Sequence, residues 1–563
     1  MEIIPSRAER ESPDVLIVGA GPTGLLAASL LARCGISVRI VDKSPTAAKE
    51  SRALVIHART LELLLSLGLA ESFLDRGMLT TGARIYVDGR QAAALDLGTV
   101  ERADSPYPIV LLIPQSEVED LLIADLDARG VAVERGIVVG GLSQDAAGVS
   151  VDAVGPDDGA LRLSASYLIG ADGAHSVVRK ALGLTFEGAP YAQTFLLADC
   201  KVEWDLENGP FSLFLHGPDF ALYAPLKGEE YGRIITLDSQ AVADPSMASQ
   251  GSSPATLADV ERAFRRATNL PLALGEPRWL SRYRVHHRGV NRYREGRAFV
   301  AGDAAHIHSP AGGQGMNTGL QDAANLAWKI ALAMNGTAPP ALLDSYHDER
   351  WPVGEKVLKE TDRVFSFMTS QSGWVTGLRD TLAPIFGATI GRSGLLRSRA
   401  FHFMSELGIR YHPGGAVAEE GSSWSHGPKA GRRAPDAVIA RKTAVFDLLA
   451  GYRFHLLALS RTPLRSVDIE AITGEFAAFA GATGLDLGTH LVAHSFVGRD
   501  PRLVQPETGS VFTAYGLTGD VMQALYLVRP DGYVAWRAPG LDFAACRRSV
   551  AGLFGTVMPS SGS

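Results

Sequence analysis

The strongest constraint on the fold is a short β-α-β pattern near the N-terminus. Residues 15–18 (VLIV) predict a buried strand, residues 19–24 (GAGPTG) a tight turn, and LLAASLLARCG a helix that ends at Gly35. SVRIVDK then predicts a second strand. Glycines at this spacing let the backbone approach a pyrophosphate at the N-terminus of the helix. The residues that we predict to bind a dinucleotide here are Gly19, Gly21, Pro22, Thr23, Gly24, Asp42 and Lys43.

Asp42 lies at the end of the second predicted strand. An acidic residue about twenty positions after the glycine turn usually accepts a hydrogen bond from a ribose 2′-hydroxyl. Its negative charge disfavours a 2′-phosphate, so the site suits FAD or NAD and not NADP. The alternative is a tight strand-to-helix turn without a ligand.

Composition narrows the classes of function. The chain has 563 residues, a net charge of −7, and no block of Lys and Arg that would indicate a nucleic acid or an anionic membrane as partner. Its first apolar run is too short to span a bilayer, and its first residues do not form a secretory signal. The three cysteines lie far apart and form no CxxC or zinc pattern. We therefore expect a cytoplasmic protein without a metal site.

Two further loops resemble nucleotide-binding turns. Gly302 and Asp303 follow the predicted strand RAFVAG, where Asp303 could accept a hydrogen bond from a polyol hydroxyl. Asp172 and Gly173 follow YLIGA in the same way. Each loop has a local alternative, since Asp303 could cap a turn and Asp-Gly is a common turn sequence.

The segment GDAAHIHSPAGGQGMNTGLQDAANLAWKI (302–330) predicts a glycine-rich loop that leads into a helix. We expect that helix to begin near Gly315, Met316 and Asn317. Pro310 would fix the wall of the loop. No obvious nucleophile, base or metal ligand accompanies the loop, which leaves open what its bare backbone and the helix N-terminus bind.

Strand-like alternation over 83–97 and 194–238 predicts an antiparallel sheet inserted into the dinucleotide-binding domain. Residues 413–437 are rich in Gly, Pro and Ser, which predicts a linker. The strand, helix, strand, hairpin and helix patterns that follow predict a small α/β domain. The predicted units are a discontinuous cofactor domain (1–85, 106–185 and 281–365), a sheet domain (86–105 and 186–280), a helical connection (366–412), the linker and a C-terminal domain (438–563).

Three nucleotide-type loops in one chain are far more specific than any one of them. GAGPTG, GADGAHSVVRKALG and GDAAHIHSPAGGQGMNTGLQDAANLAWK together resemble the class A flavoprotein monooxygenases, the para-hydroxybenzoate hydroxylase-like family. The branch it looks like is the phenol and polyketide aromatic hydroxylases. GRRAPDAV and YLVRPDGYVAWR resemble their appended thioredoxin-like domain, although no CxxC occurs here. The resemblance implies an α/β fold with a discontinuous Rossmann-like FAD-binding domain and an inserted antiparallel-sheet substrate domain.

The resemblance also implies roles for individual residues. Arg52 matches the arginine near the FAD phosphates and isoalloxazine, and Gln115 a polar residue near the ribityl phosphate. Asp172 with Gly173 would serve FAD and NAD(P)H, Asp303 would hold the ribityl chain, and the amides near Gly315 would face the reduced flavin. The implied chemistry is hydroxylation of an aromatic ring through a flavin C4a-hydroperoxide, with NADPH or NADH and O₂ as co-substrates.

The sequence signals for substrate-binding residues are less specific than those for the cofactor site. We predict that the inserted sheet forms a wall for an aromatic substrate, with Phe220, Tyr223 and Pro225 facing the ring, although these could equally be packing residues. Baeyer–Villiger insertion or drug-inactivating oxygenation on the same scaffold stays open. An NAD-linked dehydrogenase and a non-enzymatic binding protein are the alternatives from other classes. The resemblance leaves a homodimer open.

Overall fold

The structure is a computed structural model. It describes residues 12–48, 53–80, 82–96, 104–107, 109–207, 209–228, 230–238, 254–309, 312–368, 370, 405–419, 424–441, 443–496 and 503–555. Most of the predicted helical connection, the N-terminal tail and residues Arg52 and Pro310 lie outside these ranges.

The elements are numbered in chain order. The first seventeen are β1 (Val15–Val18), α1 (Pro22–Arg33), β2 (Val38–Asp42), β3 (Val55–Ile56), α2 (Ala58–Ser66), α3 (Ala70–Arg76), β4 (Met78–Thr80), β5 (Gly82–Val87), β6 (Arg90–Asp96), β7 (Val110–Leu112), α4 (Gln115–Asp127), β8 (Val133–Arg135), β9 (Val138–Gln144), β10 (Val149–Val154), β11 (Ala160–Ala165), β12 (Tyr167–Gly170) and α5 (Val177–Ala181). The next eleven are β13 (Phe186–Glu203), β14 (Phe211–His216), β15 (Asp219–Pro225), β16 (Tyr231–Leu237), α6 (Leu257–Thr268), β17 (Ala273–Val290), β18 (Arg294–Glu295), β19 (Ala298–Val300), β20 (His306–Ile307), α7 (Gly315–Met334) and α8 (Ser345–Met368). The C-terminal elements are β21 (Val438–Ala440), β22 (Thr443–Ala444), α9 (Val445–Leu448), β23 (Phe454–Ser460), α10 (Ser466–Thr483), β24 (Leu487–Ala493), β25 (Leu503–Val504), α11 (Ser510–Ala514), β26 (Gln523–Val528), β27 (Val534–Pro539) and α12 (Phe543–Phe554).

The N-terminal β-α-β unit forms as predicted. β1 pairs in parallel with both β2 and β12, and every residue of β1 is buried. The full sheet has the order β18-β19-β12-β1-β2-β8. Parallel strands need cover on both faces, and α1 packs against both α7 and α4 beside this sheet. Because β19 comes from residues far along the chain, the cofactor-binding unit is discontinuous.

An eight-stranded sheet is built from segments that alternate along the chain with those of that unit. Its order is β20-β17-β13-β16-β15-β14-β5-β6, and all but one of its strand pairs are antiparallel. α6 packs against one face of the sheet, while α8 contacts β17. The predicted domain boundaries at 85/86 and 280/281 fall inside β5 and β17. Both strands continue without a break across the residues at which the sequence pattern suggested a boundary.

The C-terminal unit has the predicted thioredoxin-like order. β25, β24 and β23 are parallel, while β26 and β27 are antiparallel to the strands beside them. The predicted hairpin at Pro530, Asp531 and Gly532 connects β26 to β27. No helix in the described ranges has the length and apolar content needed to cross a bilayer.

The segment predicted to be a linker is instead packed between the two units. Arg433 is 7% exposed, and its Nη1 atom donates to Oε1 of Glu62 at 3.0 Å. Trp424 is 5% exposed and donates from its indole nitrogen to the Gly516 carbonyl. The Gly and Pro content of this segment indicates an irregular backbone. It does not indicate whether the side chains of the segment contact residues far away in the sequence, such as Glu62.

A second set of buried charges joins the C-terminal hairpin to the helices behind the cofactor site. Arg529 is 1% exposed and donates to both carboxylate oxygens of Glu349 on α8, at 2.6 and 2.9 Å. Lys329 on α7 donates to the same carboxylate at 2.9 Å. Removing one partner of such a network leaves an uncompensated buried charge, so the two units are held in a fixed arrangement.

Candidate cofactor and substrate site

The three glycines of the first turn have different roles. A Cβ on Gly19 would lie 2.3 Å from the Ala171 carbonyl oxygen, and one on Gly24 would lie 2.0 Å from the Gly19 oxygen. Both glycines therefore allow backbone segments to touch. A Cβ on Gly21 would meet no atom within 4 Å. Gly21 thus leaves open space at the N-terminus of α1, where Pro22 occupies the first helical position.

Thr23 joins this turn to the third nucleotide-type loop. Its Oγ1 atom would be 2.6 Å from a Cβ on Gly302 and 2.4 Å from a Cβ on Gly319. Gly302 directly precedes Asp303, and Gly319 lies in the second turn of α7. The three motifs that were separate in sequence consequently meet at one place, with the Asp172 loop against Gly19.

Asp42 both shapes the turn and stays available to a ligand. Its Oδ2 atom accepts from the Ala20 amide at 2.7 Å, and its Oδ1 atom accepts from the Ser44 amide at 2.7 Å. A carboxylate oxygen can accept a second hydrogen bond, so a ribose hydroxyl could still bind. Lys43 is exposed next to it.

The carboxylate of Asp172 has a structural role that the sequence did not indicate. Its Oδ2 atom accepts from the amides of Val177 and Val178 at 2.7 and 3.2 Å, and its Oδ1 atom accepts from the Ser176 hydroxyl. The carboxylate therefore caps the N-terminus of α5. Gly173, with a φ of 78°, would meet no atom within 4 Å if it carried a Cβ, so the open surface of this loop is backbone.

Asp303 lies in the turn after β19, and its side chain is exposed. The neighbouring Gly302 adopts a φ of 59°, and its amide donates to Oδ2 of buried Asp322 at 3.1 Å. This bond holds the turn from behind, so Asp303 is presented on the open side near the α1 turn.

α7 begins at Gly315, as predicted. Its N-cap, Gln314, makes no side-chain cap, and the first-turn amides have no partner within the helix. Gly312 and Gly313 have φ values of 86° and 63°, which favour glycine, and a Cβ on Gly313 would clash with Val55. The loop thus brings bare backbone and a helix N-terminus together. Met316 is half-buried beside them.

The side chain of Asn317 has a different role from the one expected of a flavin ligand. It is 0% exposed, and its Oδ1 atom accepts from the His57 amide at 2.9 Å. Its Nδ2 atom donates to the carbonyls of Val55 and Gly313 at 2.8 and 2.9 Å. Asn317 therefore ties the glycine loop to β3, and only its backbone amide is directed toward a ligand by the helix.

Two histidines support the same loop: His57, which is buried, and His308, which is half-buried. Nε2 of His57 lies 2.8 Å from the Gly312 carbonyl, which can only accept, so this nitrogen carries the proton. The imidazole of His308 lies beneath Gly315. Burial lowers the pKa of both rings to about 4, so both are neutral and neither adds a positive charge at neutral pH.

Gln115 begins α4, and its side chain donates to Glu119 at 2.8 Å. The backbone amide of Gln115 donates to the Ala53 carbonyl at 3.3 Å. Ala53 directly follows Arg52, whose own placement lies outside the described residues. Gln115 therefore helps to hold the chain next to the predicted Arg52 position.

The predicted substrate residues do not share one face of the sheet. Phe220 packs with Phe195, Tyr283 and Phe365, on the side of α8. Tyr223 packs instead with Cys200 and with Phe264 of α6 on the opposite side, and strand alternation puts Pro225 on the Tyr223 side. Tyr223 and Pro225 were therefore wrong as wall residues, and Phe220 is 2% exposed beneath α8.

A different row of side chains is open on the face toward α8. Leu213 pairs with Leu222, and Leu222 pairs with Ile235, so the three lie side by side across the sheet. All three are half-buried, whereas Phe220 in the next row is buried. Arg233, on the other side of this row, is 2% exposed and forms a two-point ion pair with Asp199 at 2.7 Å. The open row is apolar. Because side chains alternate between the two faces of β15, counting back two residues from Ala224 would have placed Leu222 on this face.

Comparisons with known proteins agree with this arrangement. A family model described as FAD binding domain matches residues 12–361, and one described as aromatic-ring hydroxylase, C-terminal, matches residues 427–556. Pentachlorophenol 4-monooxygenase of Sphingobium chlorophenolicum is 32% identical over 96% of this chain and 97% of its own length. The 12-dehydrotetracycline 5-monooxygenase/anhydrotetracycline 6-monooxygenase of Streptomyces rimosus subsp. rimosus is 33% identical over 93% and 95%. The crystal structure of CabE, an aromatic hydroxylase from angucycline biosynthesis, is 30% identical, covers 97% of this chain and 100% of its own, and has a TM-score of 0.72.

Proposed function

Because the chain belongs to the family of FAD-dependent aromatic-ring hydroxylases, we propose that it hydroxylates a phenolic or polyketide-type aromatic ring with NAD(P)H and O₂ as co-substrates. The chain is thus an FAD-dependent monooxygenase that acts on a small aromatic molecule. The observation that carries the proposal is the meeting of three nucleotide-type loops, the first and third at Thr23 and the second against Gly19.

The described residues fit FAD. Gly21 leaves the space that a pyrophosphate needs, Asp42 has acceptor capacity for a ribose, and Asp303 is exposed for the ribityl hydroxyls. The first-turn amides of α7 would face the N1 and C2 carbonyl region of the isoalloxazine. Each such helix-end contact is worth about 0.3–1 kcal/mol at a surface and up to about 2 kcal/mol when partly buried. Bound FAD, once reduced by NAD(P)H, supplies the oxygen chemistry.

The protein's own contribution is to bind, orient and shield. Leu213, Leu222 and Ile235 give an aromatic ring an apolar surface without hydrogen-bonding groups. Asp199 and Arg233 hydrogen-bond to each other through both carboxylate oxygens, so neither side chain needs a polar group of the substrate as a partner. Arg233 also donates to the Ala53 carbonyl at 3.2 Å, which ties the sheet to the loop beside Arg52. Substrate and cofactor are thereby held in one fixed geometry, as oxygen transfer requires.

We place the reaction in the cytoplasm. All three cysteines are free thiols, and a reducing compartment keeps thiols in that state. We propose NADPH as the reductant on the family resemblance, with NADH as the alternative. The described residues include no separate dinucleotide-binding domain that would distinguish the two.

Product analysis under ¹⁸O₂ tests the proposal. The purified protein, NADPH and a panel of phenols and polycyclic phenols should give a product in which one ring hydrogen is replaced by a labelled hydroxyl. A labelled ester formed from a ketone would instead establish Baeyer–Villiger insertion. Absence of labelled product, together with oxidation of the substrate when NAD⁺ replaces NADPH, would support a dehydrogenase and contradict oxygen transfer. The matched control replaces NADPH by buffer and should give no product.

A further inference from the structure

Glu406 lies buried behind the first turn of α7. Its side chain is 3% exposed, and its backbone adopts a φ of 60°, an unfavourable conformation for a residue other than glycine. Its Oε1 atom is 3.3 Å from Oγ1 of Thr318, in the turn whose amides would face the flavin. Its Oε2 atom is buried, with no hydrogen-bond partner among the described residues. Residues held in this way, at a cost in strain and desolvation, concentrate at functional sites.

The hydrogen bonds indicate which protonation state this geometry favours. The Thr318 hydroxyl has one proton, and it lies 2.9 Å from the Gln314 carbonyl, which can only accept. The Thr318 hydroxyl therefore gives Oε1 of Glu406 only the longer, 3.3 Å branch of a shared donation, and Oε2 has no donor at all among the described residues. Glu406 is therefore accommodated as a neutral acid.

The surrounding cations only partly offset the cost of ionising the buried Glu406. Arg350 of α8 favours the ionised form most, but its Nε atom donates to Asp322 of α7 at 2.8 Å, and its other nitrogens donate to the Thr318 carbonyl and to Tyr411. Arg59 of α2 is paired with Glu62 at 3.1 Å. Burial, opposed by Arg350 and reinforced by Asp322, raises the pKa of Glu406 to about 7.

We propose that Glu406 is a positioning residue whose proton controls how strongly the N-terminus of α7 favours the reduced, negatively charged flavin. As a neutral acid, it leaves the positive end of the helix uncompensated. As a carboxylate, it places a negative charge directly behind the same amides and opposes a second negative charge at the flavin. The inference depends on the proposed placement of FAD at α7, because Glu406 acts only through that helix.

The reduction potential of the bound FAD, measured from pH 5.5 to 9, tests this inference. Wild-type protein is compared with Glu406→Gln, which keeps the neutral shape, and with Glu355→Gln, which removes a surface partner of Lys359 on α8. Below pH 6, all three potentials should coincide. Above pH 8, Glu406→Gln should favour reduced over oxidised FAD about tenfold more than wild type does, as expected for one buried charge interaction. The Glu355→Gln protein should follow wild type throughout.

Two results would overturn the inference. Coincident potentials of wild type and Glu406→Gln at every pH would show that the group does not act on the flavin. A constant offset at every pH would show that no proton is involved. If Glu406→Gln does not fold, Thr318→Val serves instead: loss of the hydroxyl that donates to Oε1 should move the wild-type inflection to higher pH, and an unmoved inflection would contradict the proposal. Purified protein unable to bind FAD would count against the proposed function rather than against the role of Glu406.

Discussion

A Cβ on Gly319 would lie 2.4 Å from the Oγ1 atom of Thr23. This distance shows how closely α1 and α7 approach, and both helices begin at the candidate cofactor site. Their N-termini are positioned by the same contact, so the pyrophosphate end and the isoalloxazine end of the site depend on one glycine.

Gly319→Ala should therefore open the contact between α1 and α7. Overpacking of this kind typically costs about 1–3 kcal/mol. We expect a lower melting temperature and weaker retention of FAD, measured by thermal unfolding and by flavin absorbance. Gly474→Ala, in α10, is the matched control, because a Cβ there meets no atom within 4 Å and alanine favours a helix. The double variant Thr23→Ala with Gly319→Ala should regain stability. Equal melting temperatures for Gly319→Ala and wild type would contradict the account.

Asn317→Asp should damage the glycine loop itself. The substitution replaces an amide that donates to the carbonyls of Val55 and Gly313 by a group that can only accept when it is ionised. Each buried group left without a partner costs about 1–3 kcal/mol. We expect a lower melting temperature together with loss of bound flavin. Asn335→Asp, exposed at the other end of α7, should have a small effect. Retention of both wild-type properties by Asn317→Asp would rule out the loop-fixing role.

The two faces of β15 should respond differently to substitution. Leu222→Ser removes apolar surface from the open row and should lower kcat/KM about tenfold, which corresponds to about 1.4 kcal/mol of lost binding in the transition state. Tyr223→Phe changes a side chain on the α6 side, and kcat/KM should stay within about twofold of wild type. Steady-state kinetics with the best aromatic substrate distinguish the two. The reverse pattern would restore Tyr223 as the wall residue.

Mild acid should destabilise the protein through His57 and His308. Desolvation lowers the pKa of both rings to about 4, whereas an unfolded chain binds their protons near pH 6.5. Stability that is present above pH 6.5 is therefore lost as the pH falls toward 4, at about 1.4 kcal/mol per pH unit for each histidine. The raised pKa of Glu406 has the opposite effect over part of this range, so Glu406→Gln should steepen the loss.

The free energy of unfolding in urea between pH 7 and 5 measures that slope. His57→Gln can still donate to the Gly312 carbonyl but does not titrate, so the slope should become shallower. Carboxylates such as Glu349, with a pKa lowered to about 2, contribute only below about pH 4.5 and do not disturb this window. Equal slopes for wild type and His57→Gln would refute the assignment of a neutral, buried His57.

Much of the fold was predictable because it depends on local signals. The glycine turn, the start of α7 at Gly315 and the hairpin at Asp531 each follow from neighbours within a few residues. The convergence of the loops followed only from the resemblance of the whole chain to a family, since no local pattern connects Thr23 to Gly319.

What sequence reasoning missed depends on contacts between distant residues. Arg433 is buried because Glu62 lies opposite it, and nothing near residue 433 indicates that partner. Tyr223 was placed on the wrong face because an aromatic side chain suits either side of a sheet, and only pairing decides which side α6 covers. The capping of the following helix by Asp172 was likewise not indicated by the sequence.

The most direct test of the central claim is the absorbance of the purified protein during anaerobic reduction by NADPH. We predict oxidised-flavin bands that NADPH bleaches, and much faster bleaching when the matching phenol or polycyclic aromatic is present. A colourless protein that cannot be reconstituted with FAD would contradict the account.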